Sequence, residues 1–400
     1  MSEKQNISII GSTGSIGTQA LNIIRKRPNE FTVIALSAKQ NLTVLIEQIK
    51  EFKPKYVHIE DLNAKATLSE LFKDIEFLNS AEAVAEIDNV DIFLSAIVGI
   101  AGLKANLKAL TKAKKVAIAN KETLVVADHL VTAIQAKHHA TLIPIDSEHA
   151  AIHQCLHAGI VANLQDLHFS HENSLVKEIL LTSSGGPFRN KTREELERVT
   201  LKEALQHPTW SMGKKITIDS STLMNKALEV IEVHALFKIP YEKIKVVIHP
   251  QSIVHSAVSF IDGNIIAQLG STNMEIPIQY AIDYPYRKKL AVEDTFNIFG
   301  QSWDFMEPNF TCFPLLKLGY EVGKLGHSYP TVFNAANEAA VELFLNEEIK
   351  WSDIEKLIST VVANHKIVQN PSLEEILELD REVKKSAKFL AGLAPCDALI

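Results

Sequence analysis

The first third of the chain is predicted to fold as a doubly wound α/β unit, and two observations predict it. Between residue 6 and about 146, six short apolar runs alternate with amphipathic segments, the pattern of a parallel sheet built from βαβ crossovers. The first run, "ISIIG", feeds a glycine-rich turn, "GSTGSIG", which opens onto a helical period. A third observation sets the remainder apart. From 147 to 283 the pattern becomes an α+β mixture, and after residue 310 the periods are helical.

Taken in order, "ISIIG", "FTVIALSA", "YVHIE", "DIFLSAIVG", "KVAIAN" and "ATLIPID" read as strands, and the helix after the glycine turn stops near Pro28. In the middle region "LVKEILLTSSGGPF", "KIKVVIHPQSIVHSAVSFIDG" and "IIAQLGST" read as strands and "STLMNKALEVIEVHALF" as a helix. Residues 284–310, rich in Pro and aromatics, have weak periodicity and read as a surface connection. Four helical periods follow: "FPLLKLGYEVGKLG", "YPTVFNAANEAAVELFLNEE", "WSDIEKLISTVVANH" and "LEEILELDREVKKSAKFLAGL". The expected organisation is a Rossmann-like domain at 1–146, an α+β domain at 147–283, a linker at 284–310 and a helical bundle at 311–400.

A chain of 400 residues that is 46% hydrophobic and 22% charged has globular composition and room for two or three cores. With 41 basic against 48 acidic side chains and no long basic run, general affinity for nucleic acid or an anionic membrane is not indicated. Any anionic ligand must be held locally. Cys155, Cys312 and Cys396 show neither zinc-site spacing nor an even disulfide count, which fits a reducing cytoplasm. "MSEKQNISII" enters a strand at once, so no signal or transit peptide is expected, and the most apolar run, "DIFLSAIVGIAGL", is too short to span a bilayer.

Glycines at a first strand-to-helix turn let backbone N–H groups approach a pyrophosphate, so Gly11, Gly14 and Gly17 point to a dinucleotide. The second strand ends in Ser37, Lys39 and Asn41 rather than in an acid for a ribose 2′-hydroxyl. A hydroxyl, a cation and an amide suit a 2′-phosphate, hence NADP; a solvated surface lysine is the bland alternative for Lys39. In "PIDSEH", Asp146 and Glu148 lie two apart in an extended segment and present both carboxylates to one side, as a hard divalent cation requires. Equally, Asp146 or Ser147 caps the helix that follows.

"DSSTLMNKALEVIE" places Ser220 at an expected helix start and Asn225 and Glu229 on one helical face beside Lys226; a solvated Lys226–Glu229 pair is the alternative. "TSSGGPFR" offers Ser183, Ser184, Gly185 and Gly186 off a strand, the hydroxyls and N–H groups of an anion pocket or simply of a loop. "HPTWSMG", residues 207–213, puts His207, Trp210 and Met212 in one loop with Pro208 and Gly213, a lid or a surface loop whose Trp packs on the core. His249 and His255 read more readily as structural histidines than as functional ones.

In order and spacing, "GSTGSIG", "ANKETLV", "PIDSEH", "SGGPFR", "HPTWSMG", "DSSTLMNKALEVIE" and "IHPQSIVHS" resemble the 1-deoxy-D-xylulose 5-phosphate reductoisomerase family over essentially the whole chain. The resemblance implies that Asp146, Glu148 and Glu229 bind Mg2+, Mn2+ or Co2+. It implies substrate contacts from Lys121, Ser147, Glu148, Ser184, His207, Ser220, Asn225, Lys226 and Glu229, with Lys121, Glu148, His207 and Lys226 nearest the chemistry. NADPH is implied at Thr13, Gly14, Ser15, Ile16, Asn41, Asn120, Glu122 and Gly213. Where family members often have Gly and a basic residue before that Asn, this chain has Lys39 and Gln40, so these two join the cofactor set.

The implied reaction rearranges the skeleton of 1-deoxy-D-xylulose 5-phosphate by retro-aldol cleavage and aldol recombination, and NADPH then reduces the aldehyde to 2-C-methyl-D-erythritol 4-phosphate. A homodimer in the cytoplasm is the family expectation, with a small sugar phosphate as the partner and neither nucleic acid nor membrane. Two rivals differ by what they need. A plain NADP-dependent dehydrogenase needs the glycine turn but no three-carboxylate site, and a non-catalytic dinucleotide sensor needs neither lid nor metal.

Overall fold

All six apolar runs of the N-terminal third become strands of one sheet. The computed structural model describes residues 4–159, 175–293 and 296–392; Cys396 lies outside them. The strands are β1 (Gln5–Ile10), β2 (Phe31–Ala38), β3 (Tyr56–Ile59), β4 (Glu76–Phe77), β5 (Ile92–Ser95), β6 (Lys115–Ile118) and β7 (Thr141–Pro144). Every pairing among them is parallel, in the order β4-β3-β2-β1-β5-β6-β7. The chain therefore runs outward from β1 on one side and then starts again beside it, which makes the β1/β5 seam the switch point where such sheets take ligands. Strands buried on both faces read as continuous Val, Ile and Leu runs, which is why these six were legible. The two-residue edge strand β4 had no such run.

The chain divides into two compact units, one formed by residues 1–123, 129–150 and 273–295, the other by 124–128, 151–272 and 296–400. The expected boundaries at 146/147, 283/284 and 310/311 differ from this division. A helix at Glu275–Asp283 belongs to the first unit, where Ile278, Ala281 and Ile282 are buried in the same core as Ile7, Ile9, Ile24 and Ile143. Only burial reveals that membership, since nothing local to "EIPIQYAID" ties it to strands far earlier in the chain.

This returning segment is pinned by charge. Asp283, buried, accepts two hydrogen bonds from Arg27, at 2.9 and 2.6 Å, and Arg27 in turn donates to both oxygens of Glu30 at 2.8 and 2.7 Å. Lys288 joins Glu30 at 2.5 Å. The hydrogen bond from Arg27 holds the Glu30 carboxyl down to about 2. Its contribution to stability is present above the ordinary carboxylate range and is lost as pH falls toward 2. Asp283→Ala is expected to cost about 2 to 4 kcal/mol, because it orphans a buried guanidinium that Glu30 still partly compensates. Urea titration monitored by circular dichroism measures it.

The second unit carries a mixed sheet of β8 (Val176–Ser183), β9 (Ile244–Ile248), β10 (Val254–Phe260) and β11 (Ile265–Leu269), in the order β11-β10-β8-β9. Only the β8–β9 pair is parallel. The four expected C-terminal helices are present as Pro314–Leu325, Tyr329–Leu345, Trp351–Ala363 and Leu373–Leu390. Within the expected linker, Met306 bridges Ile248 in antiparallel fashion, while residues 284–293 go with the first unit. Among the described residues no helix is long and apolar enough to cross a membrane.

Candidate functional site

In the first unit the glycine turn connects β1 to the helix Ser15–Arg25, at the switch point. Gly17 is required there by close approach: a Cβ would lie 2.3 Å from the Gly11 carbonyl oxygen and 2.5 Å from the Ser12 Cα. Gly14 occupies the N-cap position with no side-chain cap, so Thr13, Gly14, Ser15 and Ile16 surround an open helix N-terminus, whose first N–H groups lack intrahelical partners and suit an anion. The loop after β5 borders the same turn, since the Ala96 backbone packs on Gly11, and it leaves Val98 70% exposed. Sequence reasoning missed this loop, although Gly99 after an apolar strand was a usable signal.

The three polar residues ending β2 separate. Ser37 is buried and its hydroxyl shares a 2.9 Å hydrogen bond with His58 Nδ1. Burial lowers the His58 pKa and keeps that ring neutral. Ser37 is thus turned inward. Asn41 caps the helix Leu42–Phe52, accepting from the Val44 N–H at 3.3 Å. Lys39 and Gln40 are exposed.

Asn120 is the hub of a buried network. Its amide nitrogen donates to the carbonyls of Ile97 and Gly99, both at 2.9 Å, and to Glu122 at 3.0 Å; its oxygen accepts from Asn106 at 3.0 Å and Thr123 at 2.5 Å. Two donor hydrogens are shared among three acceptors and both acceptor lone pairs are filled, so this side chain is fully engaged and serves to fix the β5 loop.

Two residues beyond β7 stands Asp146. Its carbonyl accepts from the Ala150 N–H at 2.8 Å and so starts the helix Ser147–Gly159. Its carboxylate lies 2.5 Å from the ammonium of Lys121, the first residue of the helix after β6. Ser147 donates to Glu148 at 2.6 Å. His149, fully buried, has Nδ1 4.0 Å from Asp146.

In the second unit a cradle forms around the end of β8. His207 Nδ1 accepts backbone N–H groups from Trp210 at 2.9 Å and Thr209 at 3.2 Å. The neutral ring's proton is therefore on Nε2, which faces the Ser184 hydroxyl at 3.1 Å. Gly186 has φ +71°, and a Cβ there would meet the Ser220 carbonyl oxygen at 2.4 Å. This contact brings the Ser-Gly-Gly turn against Ser220.

Ser220 corrects an expectation. It sits in the last turn of the helix Lys214–Ser221, not at a helix start; the next helix, Met224–Phe237, begins after Leu223 takes φ +57°. Ile216, Thr217 and Ile218 obscure the first helix because β-branched residues favour strands, and tertiary anchoring overrides them. Gly213, exposed, is its N-cap.

On the second helix, Asn225 donates to one oxygen of Glu229 and Lys226 lies 2.5 Å from the other. Lys226 is 3% exposed and Glu229 0%, so the solvated-pair alternative does not hold. A buried ion pair is weak support for stability and is a frequent mark of function.

His249 is structural. Nδ1 meets the Asp304 carbonyl at 2.9 Å, Nε2 accepts from the Ile253 and Val254 N–H groups at 3.1 Å, and the ring stacks on Phe305. His255 Nε2 meets the Ser271 carbonyl at 3.1 Å, and its ring centroid is 6.0 Å from that of half-buried Trp210. Cys155 is inert, its thiol pushed up to about 12 by burial.

The donor sets fit the groups expected of them. Asp146 and Glu229 are hard oxygen donors, each already held against an ammonium at 2.5 Å, so both are poised for positive charge. At the glycine turn, the space a Cβ would fill at Gly17 is closed by backbone, which keeps the turn tight and the helix end open, as a pyrophosphate needs.

Known proteins match along the whole chain. A family model described as 1-deoxy-D-xylulose 5-phosphate reductoisomerase matches residues 7–128, and models of C-terminal domains of that enzyme match 142–237 and 269–386. The reductoisomerase of Lachnoclostridium phytofermentans is 46% identical over 94% of this chain and 95% of its own length, and that of a Geobacillus strain 46% identical over 96% and 99%. Among solved structures, a DOX-P reductoisomerase in complex with NADPH, fosmidomycin and magnesium superposes with a TM-score of 0.91 at 39% identity, over 97% of this chain and 98% of that one. The Zymomonas mobilis reductoisomerase in complex with NADPH gives 0.88 at 38%, over 98% and 99%. With both the Gly17 turn and the Ser184–Ser220 cradle inside the matched segments, the chain belongs to the 1-deoxy-D-xylulose 5-phosphate reductoisomerase family.

Proposed function

We propose that this chain converts 1-deoxy-D-xylulose 5-phosphate to 2-C-methyl-D-erythritol 4-phosphate, rearranging the carbon skeleton first and reducing the resulting aldehyde second. The observation that carries this reading over a plain dehydrogenase is the acidic corner after β7, where Asp146 meets Lys121 at 2.5 Å. Hydride transfer alone needs no carboxylates there. Asp146, Glu148 and Glu229 would hold Mg2+, Mn2+ or Co2+, which when bound supplies Lewis-acid polarisation of the substrate carbonyl. NADPH supplies the hydride.

Lys121 and Lys226 keep Asp146 and Glu229 oriented and donate hydrogen bonds to the substrate's oxygens. Ser184, His207 and Ser220 bind the phosphate, with His207 Nε2–H and the Ser220 hydroxyl as donors and Asn225 alongside. Remote phosphate binding positions the reacting carbons. Ser147 orients Glu148. Thr13, Gly14, Ser15, Ile16, Asn41, Asn120, Glu122 and Gly213 form the cofactor set, Asn120 by holding the β5 loop. For the 2′-phosphate, Lys39 and Gln40 are the exposed partners, since Ser37 is spent on His58. A homodimer in the cytoplasm completes the reading, and sedimentation equilibrium tests the dimer.

Metal-dependent NADPH oxidation on addition of the sugar phosphate tests the activity. Given 2-C-methyl-D-erythrose 4-phosphate and deuterated cofactor, the protein should place the label on C1 of a branched product. Label on C2 of an unbranched product overturns the reductoisomerase reading. Lys39→Ala should narrow the preference for NADPH over NADH by about tenfold, roughly 1.4 kcal/mol, the scale of one charge-assisted hydrogen bond. An unchanged ratio of Kd values returns Lys39 to the solvated surface.

A further inference from the structure

We propose that Trp351, on the third C-terminal helix, is a positioning residue for the phosphate cradle, acting through Ser221 and Phe188 and seconded by Asn337. The inference rests on the reading that Ser184, His207 and Ser220 hold the substrate phosphate. Three consecutive residues of the helix Lys214–Ser221 divide their tasks. Asp219 is buried, one oxygen accepting from Asn337 Nδ2 at 2.9 Å and the other 2.7 Å from Lys215 Nζ. Ser221 is buried too, accepting from the indole N–H of Trp351 at 2.9 Å and donating onward to the Ile218 carbonyl at 2.7 Å. Ser220, between them, is half-exposed, and its hydroxyl makes no hydrogen bond among the described residues. The flanking residues are committed to the C-terminal helices; the middle one is left for a ligand.

The same indole reaches the other half of the cradle. Its ring stands edge-on to Phe188, centroids 5.6 Å apart at 85°, and Phe188 is two residues beyond Gly186 in the Ser-Gly-Gly turn. Phe313 packs on it from a further side at 6.4 Å and 90°. One buried side chain thus touches both the turn that carries Ser184 and the helix that carries Ser220. Between those two elements the clearance is so small that Gly186 has no room for a Cβ. A tryptophan N–H only donates and a serine hydroxyl passes the bond on, so the chain Trp351→Ser221→Ile218 is directional and complete. Loss of the indole donor leaves Ser221 short of a partner and lets the helix end shift, and sub-ångström misplacement of a binding group is expensive.

Trp351→Phe keeps an aromatic ring between Phe188 and Phe313 while removing the donor and some volume, and Ser221→Ala removes the acceptor alone. Each is expected to raise KM for 1-deoxy-D-xylulose 5-phosphate, and to weaken competitive inhibition by inorganic phosphate, by about three- to tenfold, the worth of one buried hydrogen bond. KM for NADPH should stay within about twofold, and the double variant should be no worse than either single one, because both cut the same bond. Unchanged KM and phosphate inhibition overturn the proposal, as does a rise that affects NADPH equally and tracks a loss of Tm. If instead wild-type protein neither turns over the sugar phosphate nor is inhibited by inorganic phosphate, the functional reading itself fails and takes this inference with it.

Discussion

Asp146→Asn is expected to abolish turnover, lowering kcat/KM by about a thousandfold or more, while NADPH should bind nearly as before. The magnitude follows from the proposed role of Asp146 as one charged oxygen donor of a catalytic cation, a matter of roughly 4 kcal/mol in transition-state stabilisation. The selectivity follows from separation: Asp146 follows β7, at the edge of the sheet, whereas the glycine turn leaves β1, with β5 and β6 between them. The substitution also takes the counter-charge from buried Lys121, which now lies 2.5 Å away. A loss of about 3 kcal/mol in folding stability should therefore accompany the loss of activity. Steady-state kinetics with added metal, cofactor titration by fluorescence and a urea melt separate the three effects. Near-normal kcat without added metal would sink the assignment. Glu229→Gln should follow the same pattern.

Gly17→Ala is the converse. Its new methyl meets the Gly11 carbonyl at 2.3 Å and the Ser12 Cα at 2.5 Å, both backbone, so no flexible side chain can give way. Overpacking of this kind costs about 1 to 3 kcal/mol, and it falls on the turn proposed to present its N–H groups to the pyrophosphate. Kd for NADPH should rise by about a hundredfold, equivalent to roughly 2.7 kcal/mol. Affinity for inorganic phosphate should be untouched, since Ser184, His207 and Ser220 belong to the other unit. A Kd within threefold of wild type would mean that the turn is only a tight corner.

Where the sequence was legible, the reason is periodicity. "FTVIALSA" and "DIFLSAIVG" are apolar because both faces of their strands are covered, and the four C-terminal periods are helical because each buries one stripe. The position of Asp146 and Glu148, just beyond a strand and at the start of a helix, was legible from the change of pattern at "PIDSEH". What stayed hidden depends on partners distant in sequence. The Ser37 hydroxyl is taken by His58 and the Asn120 amide is engaged by five neighbours, contacts that no local pattern announces. The helix Lys214–Ser221 contradicts its own β-branched residues and exists because Asn337 and Trp351 hold it. Trp351 itself had no local signal of function.

The return of residues 273–293 to the first unit sets a timetable for biosynthesis. The sheet from β1 to β7 is translated before residue 145, but Ile278, Ala281 and Ile282 of its core emerge from the ribosome some 130 residues later, after the whole mixed sheet has appeared. During that interval the nascent sheet has an uncovered apolar surface and an Arg27 without Asp283, a state in which chaperone contact and aggregation compete with folding. A fragment ending at residue 150 should be insoluble or molten. The same fragment joined by a flexible linker to residues 273–293 should fold, so the gene order of this protein delays its first domain until most of the second has been made.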